Sequence, residues 1–182
     1  MSIQNIVVQK STKLPVNWTL LKQYLRDDFS QNNEEINNLI KSATAFVEKY
    51  IITSLVKQTR VQILDNDDAK QNKVYLQYGP IIQINTITGI YPGGTQEVID
   101  ASTYSLNRET LYLNFPLIYD EIEIEYECGY DDIRSIPSGL IAAVMRVTAN
   151  LYTMKEDVSS ESINIFDQTE KILNEYKKIY LG

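Results

Sequence analysis

Histidine is absent from this 182-residue chain, and its absence removes a great deal of chemistry at once. No imidazole is available as an acid or base near neutral pH, or as the commonest nitrogen ligand for a metal. Every Ser-His-Asp and Cys-His nucleophile arrangement is excluded with it. Cysteine occurs once, at Cys128, so no internal disulfide can form. Met1–Lys13 is polar and short and lacks the apolar core of a secretory signal, so synthesis in a reducing cytoplasm is expected. No apolar run approaches the ~20 residues of a membrane helix, and no membrane partner is expected. Tryptophan also occurs once, at Trp18, against 13 tyrosines.

What is present is acid, unevenly placed. The formal net charge is −7, from 24 acidic and 17 basic residues. Residues 1–64 carry 8 Lys/Arg against 5 Asp/Glu, residues 65–132 carry 3 against 13, and residues 133–182 carry 6 of each. The acidity therefore belongs to the middle third. Such a surface opposes tight binding to phosphate backbones, whose affinity comes mainly from Lys and Arg. A chain of this length suits one ordinary domain and needs no disulfide or metal staple.

Hydropathy patterning predicts an α+β protein. Asn17 is a suitable N-cap for a first helix through Leu20, Leu21, Tyr24 and Leu25 to Arg26. A second, longer helix follows, capped by Asn32 or Asn33, with Glu34 and Glu35 in its first turn where the helix dipole favours them. Ile36, Leu39, Ile40, Ala43, Val47, Tyr50 and Ile51 recur at steps of three and four. Residues 55–128 read as an antiparallel β-region. In Val56–Leu64, β-branched and apolar residues alternate with Lys57, Thr59 and Gln62, and further strands fall at Val74–Tyr78 and Ile81–Ile90. Shorter ones are expected at Glu97–Ile99, Tyr104–Leu106 and Leu111–Leu113. In Glu121–Cys128 the alternation is complete: Ile122, Ile124, Tyr126 and Cys128 share one face, and Glu121, Glu123, Glu125 and Glu127 the other. Cys128 is thus a small core residue and no nucleophile. A long helix spans about 137–155, with Pro137 in its first turn. A Ser/Glu-rich linker over Glu156–Asn164 leads to a short amphipathic C-terminal helix carrying Phe166, Ile172, Leu173, Tyr176 and Tyr180. Three divisions result: an N-terminal arm over 1–16, a domain over 17–156, and a linker with a docking segment over 157–182.

Several sharper motifs fail on inspection. Asp65-Asn66-Asp67-Asp68 is no EF-hand, because Lys70 and Leu76 occupy the positions that need Gly and Glu. Pro92-Gly93-Gly94 is followed by no Gly-Lys-Ser/Thr and opens no helix, so it is a hairpin turn.

The ordered set of element edges resembles the head–tail connector (adaptor, head-completion) family of tailed bacteriophages. The matching segments are Leu20-Leu21-Lys22-Gln23-Tyr24-Leu25-Arg26-Asp27, then Leu39 to Tyr50, then Leu76-Gln77-Tyr78-Gly79-Pro80-Ile81. Next come Ile124-Glu125-Tyr126-Glu127-Cys128-Gly129-Tyr130, Ile136-Pro137-Ser138-Gly139-Leu140, Asn150-Leu151-Tyr152, and finally Ile172-Leu173-Asn174-Glu175-Tyr176-Lys177. The resemblance implies a structural virion protein at the neck, with no enzymatic activity and no cofactor. It would form a ring of about twelve copies under the portal protein, extend a channel through which DNA passes without sequence-specific binding, and present a surface to the next neck or tail protein.

On that reading Glu121, Glu123, Glu125 and Glu127 are either a channel lining that phosphates do not adhere to or an inter-subunit face, and a plain solvated face is the third possibility. Lys41 and Lys49 are the candidate basic counterpart on a neighbour. Phe166, Ile172, Leu173, Tyr176 and Tyr180 form the candidate portal contact, with Met1–Val16 as a second mobile contact. Two rivals remain: a carboxylate enzyme acting on DNA through magnesium at Glu123, Glu125 or Asp131, and a generic soluble protein-binding module.

Overall fold

The computed structural model describes residues 4–26, 34–65, 72–114, 118–153 and 161–178, with the side chains of 161–167 excepted. The architecture is mixed α+β, and the chain divides into two compact units. One gathers residues 1–11 and 57–129, the other 12–56 and 130–181.

The first unit is built of strands. Its larger sheet has five, in the order β1 (Gln4–Gln9), β2 (Gln58–Leu64), β8 (Glu121–Cys128), β4 (Ile81–Ile90), β5 (Gln96–Val98), all antiparallel to their neighbours. A smaller sheet holds β3 (Lys73–Tyr75), β7 (Thr110–Leu113) and β6 (Tyr104–Asn107). The core unites Ile122, Ile124, Tyr126 and Cys128 of β8 with Ile87, Leu64, Val74, Leu76, Leu111 and Leu113. The alternation read from Glu121–Cys128 is therefore realised in full, and Cys128 is buried.

Two features depart from expectation. Met1–Val16 is not an arm throughout, because Gln4–Gln9 pairs with β2 as an edge strand. Its β-branched run Ile6-Val7-Val8 suits an extended backbone. The second departure is an inversion in β2. Gln58, Arg60, Gln62 and Leu64 point to the buried side, while Thr59, Val61 and Ile63 lie on the half-exposed side. Register is the cause. Gln62 stands opposite Ile124 and Arg60 opposite Tyr126, so they share that strand's buried face.

A polar network makes this inversion tolerable. The buried Gln62 side chain accepts from the Gln77 amide at 2.9 Å and donates to the Tyr75 carbonyl at 3.0 Å. Arg60 donates to Asn5 Oδ1 at 3.0 Å and lies 3.6 Å over the Tyr78 ring. Asn5 Nδ2 donates to the Tyr126 hydroxyl at 2.8 Å, which in turn donates to the Gln77 carbonyl at 2.7 Å. The network ties β1 into the sheet.

The second unit is helical: α1 (Trp18–Leu25), α2 (Glu34–Ile51), α3 (Ser138–Thr153) and α4 (Glu161–Tyr176). Asn17 caps α1 as expected, its Oδ1 accepting from the Thr19 amide at 2.8 Å. Asn32 and Asn33, named as caps for α2, lie outside the described residues, as does most of the loop after Asp65. Pro137 sits one residue before α3, its carbonyl accepting from Leu140 and Ile141. The core joins Leu21 of α1, Ile36, Ile40, Ala43, Val47 and Ile51 of α2, Leu140, Ala143, Val144 and Val147 of α3, and Leu173 of α4. Helix α4 begins at Glu161, inside the stretch expected to be linker, and is as long as α3.

Candidate assembly interface

Two surfaces named from the sequence acquire geometry. The first is the outer face of the five-stranded sheet. Glu121, Glu123, Glu125 and Glu127 sit on β8, the middle strand, each half-buried. Their neighbours on β2 are Ile63 beside Glu123, Val61 beside Glu125 and Thr59 beside Glu127. On β4 the neighbours are Ile90, Thr88, Thr86 and Gln83. Glu127 pairs with Lys57 at 2.8 Å, and Glu125 accepts from Asn85 at 3.0 Å. Glu121 and Glu123 have no side-chain partner among the described residues.

The second surface is the exposed side of α2. Lys41, Ser42, Ala45, Phe46 and Lys49 all face solvent, because the other side is spent on the core. The acids of α2 lie elsewhere: Glu34 and Glu35 in the first turn, and Glu48 buried, accepting from the Leu55 amide at 2.7 Å. Lys41 and Lys49 have no side-chain partner among the described residues.

The C-terminal candidates divide. Leu173 is fully buried in the helical core, and Tyr176 packs against it, half-buried. A Cβ at Gly139 of α3 would stand 2.6 Å from the Tyr176 hydroxyl, so glycine there makes room for the ring. Ile172 is half-buried. Tyr180 and the Phe166 side chain lie outside the described residues. Helix α4 is also fastened at its end. The Tyr50 hydroxyl meets Glu170 Oε1 and Asn174 Oδ1, each at 2.8 Å, and Lys177 Nζ lies 5.0 Å from the Tyr50 ring centroid. The Lys178 amide donates to the Ile51 carbonyl at the end of α2. The bond to the Glu170 carboxylate holds the Tyr50 phenol above its ordinary pKa. Leu173 and Tyr176 are thus committed to the chain's own packing. A helix this short needs a docking surface, and it finds one within its own unit.

A third cluster was not foreseen. Tyr91 and Tyr119 both donate to Glu97 Oε2, the latter at 3.1 Å, and their rings meet in a tilted arrangement, 4.8 Å between centroids and 59° between planes. Burial and these hydrogen bonds push the Tyr119 phenol well above its ordinary value. The cluster braces the hairpin of β4 and β5 around Pro92-Gly93-Gly94, where both glycines have positive φ. Among the described residues no group of three or more carboxylates or cysteines could hold a metal.

The family model described as head completion protein matches residues 18–179. The chain belongs to the head completion protein family. Solved structures show the same fold. A chain from a structure described as the virion of a native gene transfer agent particle is 14% identical, with a TM-score of 0.75, and the match covers 98% of this chain and 97% of that one. A chain from the neck of an empty gene transfer agent particle, computed with C6 symmetry, is 12% identical at TM-score 0.73, covering 100% and 98%. A third, from the neck of a native particle computed with C12 symmetry, is 15% identical at TM-score 0.70, with the same coverage. No curated protein matches the chain. The resemblance drawn from the ordered segments between Leu20 and Lys177 is accordingly met at the level of family and fold.

Proposed function

We propose that the chain is a head–tail connector: a structural, non-enzymatic virion protein of the neck, assembled as a ring of about twelve copies beneath a portal protein. The ring would extend the DNA channel and offer its far side to the next neck or tail protein. The family match over residues 18–179 carries this reading. The neck particle computed with C12 symmetry, whose chain shares this fold, supports the copy number. The net charge of the β-region supports passage of DNA without adhesion, since few cations are present there to displace counterions from phosphates.

The portal contact is assigned to the C-terminal segment, from Phe166 through Tyr180. With Leu173 and Tyr176 taken up internally, that contact would use the exposed side of α4 and the residues after it. Removing the segment would strip a core residue from the helical unit, so substitution of exposed residues is the better probe.

The deciding experiment is genetic and structural together. Deleting the gene from its phage or particle genome should leave filled heads that lack tails, and supplying the chain should restore joined particles with ring density at the neck. Joined, infective particles formed without the chain would refute the reading.

A further inference from the structure

The outer face of the five-stranded sheet is not an ordinary solvated surface. Beside the acidic row of β8 lie Val61 and Ile63 of β2, and next to them Ile6 of β1, 44% exposed, with Val8 at the β1 bulge 59% exposed. Across the row, Val98 of β5 is 69% exposed and shares a face with Thr88 and Glu123. The inversion of β2 thus sets an apolar band alongside carboxylates. The exposed side of α2 has the complementary make-up: Lys41 and Lys49 flank Ala45 and Phe46, the last 38% exposed.

We propose that the α2 side of one copy seats on this sheet face of a second copy. Lys41 and Lys49 reach Glu121, Glu123 and Glu125, while Phe46 and Ala45 lie on the Val61–Ile63–Ile6 band. The proposal rests on the ring reading above and gives it its contact. Two different surfaces of one chain meet, which is the condition for a ring. The charge spacings agree. Eight helical residues place Lys41 and Lys49 about 12 Å apart, and four strand residues place Glu121 and Glu125 about 14 Å apart. That difference is smaller than the reach of one lysine side chain. Strand addition at the sheet edges is the competing way to join copies, and the edges oppose it. β5 is only three residues long, and β1 carries a register shift between Val7 and Gln9.

Charge exchange tests the pairing on the full-length chain. Lys41→Glu/Lys49→Glu gives an acidic helix side beside an acidic sheet, and Glu121→Lys/Glu123→Lys gives a basic helix side beside a basic sheet. Each variant alone should need at least tenfold more protein than the wild type to form rings, measured by sedimentation velocity with and without the portal from the same genome. Mixed one to one, they should assemble again as alternating copies, and one chain carrying all four changes should assemble alone. All four positions are exposed or half-exposed, so circular dichroism melts should match the wild type. Either variant assembling like the wild type overturns the pairing, and so does a mixture of two folded variants that does not recover. If charge repulsion leaves either variant unfolded, two disulfide traps replace it, Lys49→Cys with Glu121→Cys and Lys41→Cys with Glu121→Cys, one for each direction of the helix over the strand: cross-linked ladders from either support the pairing, and their absence from assembled rings of both overturns it. A wild-type chain that forms no ring with or without portal overturns the connector reading and this inference together.

Discussion

Replacing Tyr126 by phenylalanine removes one oxygen from a fully buried side chain and leaves its volume almost unchanged. The loss therefore isolates the polar network from the packing around it. Two bonds disappear: the hydroxyl no longer donates to the Gln77 carbonyl, and Asn5 Nδ2 no longer has its 2.8 Å acceptor. Asn5 keeps a longer bond to Gln62 Oε1 at 3.4 Å, so its loss is partly offset. The half-buried Gln77 carbonyl gains no such substitute among the described residues, and a polar group stranded in the interior costs about 1–3 kcal/mol. Tyr126→Phe should then destabilise the β unit by about 2 kcal/mol. For a unit of under 100 residues that corresponds to a fall of roughly 10 °C in melting midpoint. Urea titration and calorimetry would measure the change. Hydrogen exchange would locate it, with protection lost first at Gln4–Gln9, since Asn5 is the strand's anchor. A double-mutant cycle with Asn5→Ala should return a coupling of about 1 kcal/mol. A loss below about 0.5 kcal/mol, or unchanged protection on β1, would refute the claim that this network holds the strand.

Leu173→Ala should cost the helical unit about 3 kcal/mol, read from its thermal melt, because a fully buried leucine leaves a cavity when shortened. Gly89→Ala should destabilise by about 1–3 kcal/mol, since the new Cβ would lie 2.5 Å from the Tyr119 ring; a calorimetric scan would show it. Alkaline pH should weaken the β unit. The Tyr119 phenol is raised in the folded state, so its contribution is complete below the ordinary phenol value near 10 and is lost as pH climbs through the folded value. Ultraviolet titration should show Tyr119 ionising late and together with unfolding, an effect that Tyr119→Phe removes.

How much of this was legible beforehand depended on whether the signal was local. The strand Glu121–Cys128 and the helix from Ile36 to Ile51 announced themselves through unbroken periodicity, and both formed as expected. Ile81–Ile90 matched its boundaries because Gly79-Pro80 and Pro92-Gly93-Gly94 punctuate both ends. Gln4–Gln9 reads as part of an arm because a half-exposed edge strand carries little alternation, and only Ile6-Val7-Val8 points to an extended backbone there. The faces of β2 could not be assigned from hydropathy. Gln62 is buried because it finds Tyr75 and Gln77, partners that only the fold brings near. Of the candidate sites, the acidic row and the two lysines were found from sequence, whereas the Val61–Ile63–Ile6 band needed the register of three strands. The C-terminal helix was seen as amphipathic, but nothing local told whether its apolar side served this chain or another.

The division of the chain has a consequence for its synthesis. The β unit draws on residues at both sides of the first two helices, so β1 leaves the ribosome long before its only described strand partner, β2. At roughly 5–20 residues per second, the strand waits for seconds while all of α1 and α2 is made. Throughout that interval Ile6, Val7 and Val8 have no sheet to join. The helical unit, in turn, cannot close until β8 has been released and α3 follows. The β unit cannot mature before residue 129 has emerged, nor the helical unit before α4 has, and no single cut between two residues would release either of them intact.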